Sequence, residues 1–181
     1  GDTPHYAKPP FRIMTMQEAW LEFAQLDLIK LQDRDTLREA LLGKGLIVNK
    51  EASWEDLFNQ AFVQWIEPEL PKDRPLVLIE YPAQIECLAR NIPGTPWKDR
   101  WELYINGIEL LNCYTEAATK EAVLASMKKE AEKKQNQQVP HAVNFEYAEL
   151  FDDFPLCSGV AMGFERFIMA MNGLADIRSV L

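Results

Sequence analysis

The sequence predicts an α+β fold in which helices flank an antiparallel β-sheet, and three observations indicate it. An Asn-Gly dipeptide at 106–107 separates two β-prone runs, 100–105 and 108–114, which is a strong signal of a hairpin. A continuous apolar run at 76–81 is typical of a buried strand. Apolar side chains recur at helical intervals between 16 and 66, which predicts helices that pack as core elements.

Length and composition narrow the class of protein. The chain has 181 residues, enough for a single domain, 1–181, with a sizeable core. Its net charge of −9 predicts no broad basic face, which argues against nucleic acid as the main partner. No apolar run reaches membrane-spanning length, and we expect no signal peptide before the fold.

Cysteine and histidine usage points to a reducing compartment, the cytoplasm. The three cysteines are an odd number, form no Cys-x-x-Cys motif and lie among apolar residues, so we expect buried free thiols. With only two histidines in the chain, a histidine-based triad or zinc site is not expected. The three cysteines are Cys87, Cys113 and Cys157.

Residues 11–75 are predicted to form a helical insertion ahead of the sheet. A capping box at 15–18 predicts a helix at about 16–25. Asp35 is placed to cap a second helix over 36–42.

A third helix should begin after Ser53 and end before Pro68. Tryptophans at helical spacing are more often core than ligand contacts, so we interpret this helix as a packing element. Its apolar face comprises Leu57, Phe58, Ala61, Phe62 and Trp65.

A charged helix is predicted at 121–134, followed by a polar loop at 135–138 and a short helix at 145–151. The lysines of the charged helix could contact RNA or an acidic protein. Acidic residues are interleaved with them, however, and this pattern favours a solvated face.

The hairpin brings two carboxylates together. With a two-residue loop, Tyr104 faces Glu109 and Leu103 faces Leu110, so Glu102 is a diagonal neighbour of Glu109. Like charges on one face destabilise a sheet unless a cation lies between them, and Mg²⁺ held by ATP phosphates is the candidate. The alternative is an exposed face with two solvated glutamates.

Polar residues continue along the second strand of the hairpin. Strict alternation places Asn112, Tyr114 and Glu116 on the face opposite Glu109. For all of them to meet one ligand, the strand needs a bulge near 110–111, and bulges are common beside active sites. Taken alone, Glu116 fits a helix cap at the end of a loop equally well.

The last thirty residues have the pattern of a phosphate site. Small residues crowd 158–163 and precede an apolar run at 164–171 with Arg166 near its start. A strand that ends in glycines, followed by a helix with an arginine at its head, suits a nucleoside triphosphate. The local pattern alone fits equally a Gly-rich turn into a buried core helix with a salt-bridged arginine.

Segment 156–181 resembles motif 3 of class II aminoacyl-tRNA synthetases, in its glycine-x-glycine spacing and its Glu-Arg pair. Within the lysyl branch, Cys-Ser-Gly-Val-Ala-Met-Gly at 157–163 is most similar to the lysyl-tRNA synthetase paralogues that attach lysine or β-lysine to translation elongation factor P. The resemblance implies that Arg166 is catalytic and meets the ATP γ-phosphate, and that Gly163 clears space for the nucleotide. Lysyl-tRNA synthetases carry glycine where this chain has Ala161, which would line the amino-acid pocket.

The strand and hairpin segment, 76–116, resembles the same branch. The Glu-Tyr-Pro-Ala and Leu-Ala-Arg stretches within 80–90 look like the strand before the metal-binding hairpin of lysyl-type synthetases. Arg-Trp-Glu at 100–102 and the pattern glycine-x-glutamate-x-x-asparagine-x-aromatic-x-glutamate at 107–116 look like the hairpin itself.

This likeness implies a role for each polar residue of the hairpin. Glu102 and Glu109 would bind ATP and its magnesium ion. Asn112 and Tyr114 would line the amino-acid pocket, and Glu116 would pair with a substrate ammonium. A buried carboxylate selects an amine because a neutral side chain would leave it unpaired.

The resemblance runs from about residue 11 to the end but covers only the C-terminal part of a class II catalytic domain. Motif 1, which normally builds the dimer interface, and motif 2, which holds the α-phosphate, are not found, so a homodimer and the chain's status as an enzyme stay open. The sequence predicts a ligase that uses ATP and Mg²⁺ to activate lysine or β-lysine for transfer to elongation factor P, with tRNA less favoured. The alternatives are a non-catalytic paralogue acting as a binding module and a fragment of a true lysyl-tRNA synthetase.

Overall fold

The computed structural model describes residues 3–117, 119–135 and 142–180, and these contain a five-stranded sheet of order β1-β2-β3-β4-β5. The strands are Arg12–Thr15 (β1), Leu76–Pro82 (β2), Trp97–Ile105 (β3), Ile108–Thr115 (β4) and Ser158–Met162 (β5). β1 runs parallel to β2, and the other neighbours pair antiparallel. With the flanking helices, this confirms the predicted α+β class.

The helices lie mostly where periodicity predicted them. They are Met16–Ala19 (α1), Arg34–Gly43 (α2), Trp54–Ala61 (α3), Lys120–Gln135 (α4) and Phe164–Asn172 (α5). π-Helical turns at Trp20–Ala24 and Phe62–Ile66 extend α1 and α3, and 3₁₀ turns lie at His5–Ala7, Leu28–Lys30, Glu67–Glu69, Phe145–Phe151 and Ile177–Ser179. The polar loop predicted at 135–138 falls largely on residues outside the described part of the chain.

Side-chain caps define where α1 and α3 begin. The Thr15 hydroxyl accepts from the Glu18 amide at 3.1 Å, and the Glu18 carboxylate accepts from the Thr15 amide at 2.7 Å. Ser53 and Asp56 form the same reciprocal pair at the start of α3. Both predicted helix starts are thereby confirmed, because each box satisfies backbone donors that the first helical turn leaves free.

The predicted cap of α2 was wrong by two residues. Asp33 accepts from the amides of Asp35 and Thr36 at 2.9 and 3.1 Å. Asp35 already lies inside the first turn, where its carboxylate pairs with Arg34 at 2.6 Å. An N-cap residue must stand outside the helix to reach those amides, and only Asp33 does so.

The main core lies between the N-terminal helices and strands β1 to β3. The rings of Trp20, Trp54 and Phe62 each stack with Phe58, with ring centroids at 5.1, 5.3 and 5.9 Å from it. The predicted role of the tryptophans as packing residues is confirmed for Trp20 and Trp54, which are 0% and 7% exposed. This packing holds the helical layer against the sheet.

The Asn-Gly turn adopts the hairpin expected from the sequence. Asn106 and Gly107 have φ angles of 53° and 75°, the left-handed values of a type I′ turn. Ile105 pairs with Ile108 directly across it, as predicted.

A β-bulge follows within four residues of the turn. Tyr104 pairs with Glu109, but Leu103 pairs with Leu111, so Leu110 is the extra residue. The bulge inferred near 110–111 is therefore confirmed, and the strict pairing of Leu103 with Leu110 was wrong because the strand contains this extra residue.

The C-terminal strand and helix form where predicted, but the helix is not buried on all sides. Met169 and Ala170 of α5 are 9% and 0% exposed, while Phe164 and Phe167 are 63% and 37% exposed. α5 packs on β4 through one face, and among the described residues its outer face has no cover. β5 pairs only with β4, so its other edge is open in the described chain.

The cysteines are free, as expected. Cys113 is buried, and burial raises the pKa of its thiol. Cys87 and Cys157 are only half-buried, so the expected burial was wrong for those two. Within the part of the chain that is described, no helix combines the length and the apolar character that crossing a membrane requires.

Candidate active site

The bulge decides which polar side chains share a face of the sheet. Residues paired directly across strands lie on the same face, and Glu102 pairs with Asn112 while Tyr104 pairs with Glu109. Asn112 pairs in turn with Ala161 on β5. Without the bulge, Glu109 and Asn112 would lie on opposite faces.

Glu102 is the buried carboxylate of this face, with 6% of its surface exposed. It accepts hydrogen bonds from the hydroxyls of Tyr81 and Tyr104, the second at 2.8 Å, and forms an ion pair with Arg100 at 2.6 Å. Burial first, and then the Glu102 charge, raise the pKa of both tyrosines, which keeps their hydroxyls protonated as donors. The guanidinium carbon of Arg100 also lies 4.7 Å from the centroid of the Tyr81 ring.

Glu109 forms a salt bridge with Arg166 of the C-terminal segment. Arg166 Nη1 lies 3.2 Å from Glu109 Oε2 and donates to the Glu109 carbonyl oxygen at 3.1 Å. The two side chains are 52% and 31% exposed. The Glu-Arg pair at the start of α5 is thus joined to the hairpin, so two segments singled out separately in the sequence meet.

A third carboxylate, Glu67, lies at the end of the helical layer. Burial, followed by the charges of Glu109 and Glu102, raises its pKa, and Arg166 opposes that effect. The charges of Glu109, Glu102 and Arg166 therefore all act on the Glu67 carboxyl group. Sequence reasoning missed it, because a glutamate before a proline at a helix end carries no periodic signal.

Glu116 lies at the other end of the same strand face and lines a cavity of about 330 Å³ together with Phe154 and Leu156. Burial raises the pKa of its carboxyl group. No described side chain donates a hydrogen bond or a salt bridge to it. A Cβ atom on Gly159 would lie 2.9 Å from Glu116 Oε1, so the glycine leaves room for the carboxylate.

Gly163 separates β5 from α5. A Cβ atom there would lie 3.3 Å from Cδ of Arg166, so the neighbour that the glycine accommodates in this structure is the arginine side chain. Its expected contact with a nucleotide stays a prediction.

The structure brings most of the predicted site residues to one face. Glu102, Glu109, Asn112, Tyr114 and Ala161 share it through strand pairing, and Arg166 reaches it through Glu109. Besides Glu67, sequence reasoning did not identify the partners of Glu102. Tyr104 was detectable from its two-residue spacing to Glu102 on one strand, whereas Tyr81 comes from a different strand.

The donor chemistry of the face fits a phosphate-bound magnesium ion. Mg²⁺ typically takes one or two carboxylates together with substrate oxygens. Glu109 is the accessible carboxylate and Glu102 the buried one. Among the described residues, no group of three or more histidine, cysteine or acidic side chains is arranged to hold a metal by itself.

Comparison with known proteins identifies the family of the chain. The profile of the family described as tRNA synthetases class II (D, K and N) matches residues 3–181. An elongation factor P–(R)-β-lysine ligase homolog from Aquifex aeolicus is 30% identical over 169 residues, covering 93% of this chain and 54% of that protein. A lysine–tRNA ligase from Chloroflexus aurantiacus is 28% identical over 184 residues, covering 96% of this chain and 36% of that protein.

An elongation factor P–(R)-β-lysine ligase from Pectobacterium carotovorum is 30% identical over 173 residues, covering 91% of this chain and 53% of that protein. The chain thus spans about a third to a half of the length of these relatives. Because the family profile matches nearly the whole chain, this protein belongs to the class II tRNA synthetase family.

Proposed function

We propose that this chain carries the nucleotide and amino-acid contacts of a lysyl-type ligase, which activates lysine or β-lysine as an adenylate with ATP and Mg²⁺. The observation that supports it most directly is the contact of Arg166 with Glu109, on the face that also holds Glu102. A partly exposed cation–carboxylate pair beside a second carboxylate suits a site where a charged nucleotide enters. The family of the chain is consistent with this chemistry.

The nucleotide end of the site is Arg166 and the two hairpin carboxylates. Arg166 stands in the first turn of α5, where a guanidinium and the helix N-terminus both favour phosphate oxygens. Glu109 and Glu102 would hold the magnesium ion, which when bound neutralises negative charge on the phosphates. Arg166 would then exchange its partly exposed contact with Glu109 for a phosphate.

The amino-acid end is Glu116, with Asn112 and Tyr114 between the two ends. The Glu116 carboxylate faces a cavity walled by Phe154 and Leu156, which suits an ammonium carried on an aliphatic stem. Burial disfavours the charged form of Glu116, so a cationic partner would stabilise that carboxylate strongly. This arrangement supports lysine or β-lysine over a neutral amino acid.

For the acceptor we favour elongation factor P, and with it a cytoplasmic location. Two of the similar proteins carry that acceptor in their names. The net charge of −9 also disfavours the polyanionic surface of tRNA.

The experiment is calorimetry with Mg²⁺-ATP, lysine, (R)-β-lysine and the neutral analogue norleucine. Arg166→Gln should weaken ATP binding by about 10- to 100-fold, since it removes a charge-assisted contact. Glu116→Gln should weaken lysine binding and leave ATP binding intact. Arg178→Gln is the matched control, because Arg178 pairs locally with Asp176 outside the site. Equal ATP affinity in the Arg166 and Arg178 variants would defeat the proposal.

A second candidate, a binding module without chemistry, has one observation in its favour. Glu102 and Glu109 each pair with an arginine of the chain itself, so neither hairpin carboxylate needs a metal ion as its cationic partner. Lysine-dependent exchange of pyrophosphate into ATP separates the candidates, because a binding module retains both ligands but catalyses no exchange. A lysine–tRNA ligase fragment would be distinguished by charging tRNA.

A further inference from the structure

A second cavity, of about 350 Å³, lies between the segment 83–91 and α4. That volume is at the lower end of the range for small-molecule sites. It adjoins the Glu116 cavity, with which it shares Arg90 and two alanines. The side of the cavity formed by α4 carries only small residues and one lysine, namely Ala122, Ala125, Ser126 and Lys129.

The inner wall of this cavity holds a buried lysine. Lys98, on β3, is 7% exposed, and its Nζ donates to the carbonyl oxygens of Cys87 and Ala89 at 3.2 and 3.3 Å. Among the residues that the structure describes, no carboxylate lies within salt-bridge distance of it. An ammonium group has three donors, so one donor remains beyond the two carbonyl contacts.

Such a lysine is energetically unusual. Burying a charge is costly unless an opposite charge compensates it, and two neutral carbonyls do so only in part. The rim adds Lys129 and Arg90, the latter already paired with Asp99 at 2.9 Å. Glu86 is the single carboxylate in the lining, against three cationic side chains, so the charged groups of the lining are predominantly positive in a chain of net charge −9.

We propose that this cavity binds a small anion, whose phosphate or carboxylate group accepts from Lys98 Nζ inside and from Lys129 at the mouth. Ser126 lies on the same wall of α4 and offers a neutral hydroxyl to the same group. The inference does not depend on the proposed ligase function, since it uses neither Arg166 nor the hairpin carboxylates.

The probes are inorganic phosphate and succinate, titrated at constant ionic strength against the folded protein by calorimetry. We expect saturable binding of one or both, and the stronger probe identifies the anion as a phosphate or a carboxylate. Lys98→Met should reduce affinity by about tenfold or more, as loss of a charge-assisted hydrogen bond does. Ser126→Asp should reduce it similarly by repulsion, without touching the two carbonyl contacts of Lys98.

Two control variants locate the ion. Lys128→Gln removes an exposed charge from α4 that does not line the cavity, and should bind as the unaltered protein does. Arg166→Gln should also retain binding, which separates this cavity from a phosphate site at the start of α5. Cys87 lines the cavity, so the bound anion should slow its alkylation relative to Cys157.

The proposal is overturned if neither probe binds saturably, or if affinity is unchanged in both Lys98→Met and Ser126→Asp; loss of binding in Arg166→Gln would then place the ion at the start of α5. Circular dichroism establishes that each variant is folded. If Lys98→Met does not fold, Ser126→Asp decides the question alone, and unchanged affinity in that variant rejects the site.

Discussion

The two hairpin carboxylates have different environments although they lie on one face. Glu102 has three donors around a buried side chain, whereas Glu109 has one arginine and is partly open to solvent. A buried, fully partnered carboxylate is rigid, and an open one exchanges partners readily. We therefore propose that, of the two carboxylates that would hold the magnesium ion, Glu102 is fixed in place by its partners and Glu109 changes partner when the ligand binds.

This difference predicts unequal stability effects. Glu102→Gln should lower the free energy of unfolding by about 3 kcal/mol, because it leaves the charge of Arg100 without its buried partner. Glu109→Gln should change it by less than about 1 kcal/mol, since its pair is partly exposed. Urea unfolding of both variants measures the two values. Equal losses would contradict the assignment.

Glu67 should make stability depend on pH. Its folded-state pKa is raised above the ordinary value of 4.5, by burial first and then by Glu109 and Glu102. A raised carboxyl pKa means that the folded state holds the proton more tightly, so the destabilisation is absent below pH 4.5 and grows as pH rises through the folded pKa.

The variant Glu67→Gln should therefore have a higher Tm than the unaltered protein at pH 7, and the gain should vanish near about pH 4. Glu69→Gln is the matched control for the substitution itself, because Glu69 is an exposed glutamate in the same turn. Thermal melts between these two pH values test the prediction. A gain that persists at the acidic end would show that it has another origin.

A substitution at Gly159 should weaken lysine binding while changing the stability of the fold little. Gly159→Ala should leave the free energy of unfolding within about 1 kcal/mol, because its Cβ would meet only the movable end of Glu116. Lysine affinity should fall by roughly tenfold, since the carboxylate is displaced. Calorimetry and chemical unfolding on one sample give both values. Unaltered lysine affinity would remove Glu116 from the amino-acid site.

The stability of a helix depends on which residue caps its first turn. Asp33→Ala should lower the free energy of unfolding by about 1 kcal/mol through loss of the α2 cap. Asp35→Ala should cost less than about 0.5 kcal/mol, as it removes one exposed ion pair and a favourable interaction with the helix dipole. Denaturant titration compares the two. A larger loss in Asp35→Ala than in Asp33→Ala would support Asp35 as the cap, as expected from the sequence.

Across the whole molecule, packing is uneven. The large apolar cluster joins the helical layer to β1, β2 and β3, while β5 and the outer face of α5 carry exposed apolar side chains. Amide protons of β5 should exchange at least about tenfold faster than those of β2, because β5 has one strand neighbour and little cover. Exchange followed by mass spectrometry measures this.

The same measurement tests how ligand and fold are coupled. Under the proposed function, Mg²⁺-ATP should slow exchange in α5 and β4, since Arg166 and Glu109 would both bind it. The N-terminal helices α2 and α3 serve as the internal control and should show no change beyond the global effect. Protection confined to α2 and α3 would contradict the proposed nucleotide site.

The sequence by itself determined the elements whose signals are local. The hairpin followed from Asn-Gly at 106–107, two helix starts followed from the boxes at 15–18 and 53–56, and the strand–helix unit at the C-terminus followed from its glycines. These features depend on backbone preferences and hydrogen bonds between residues at most a few positions apart. The α2 cap was misplaced because two nearby aspartates carry the same local signal.

Only the tertiary structure decided which side chains meet. The shared face of Glu109 and Asn112 depends on the bulge at Leu110, for which the sequence required a ligand hypothesis. The third carboxylate, Glu67, the hydroxyl of Tyr81 and the buried charge of Lys98 come from segments distant along the chain. Burial and long-range charge raise the pKa of Glu67 and of Tyr81, and neither quantity can be read from the neighbours of a residue in sequence.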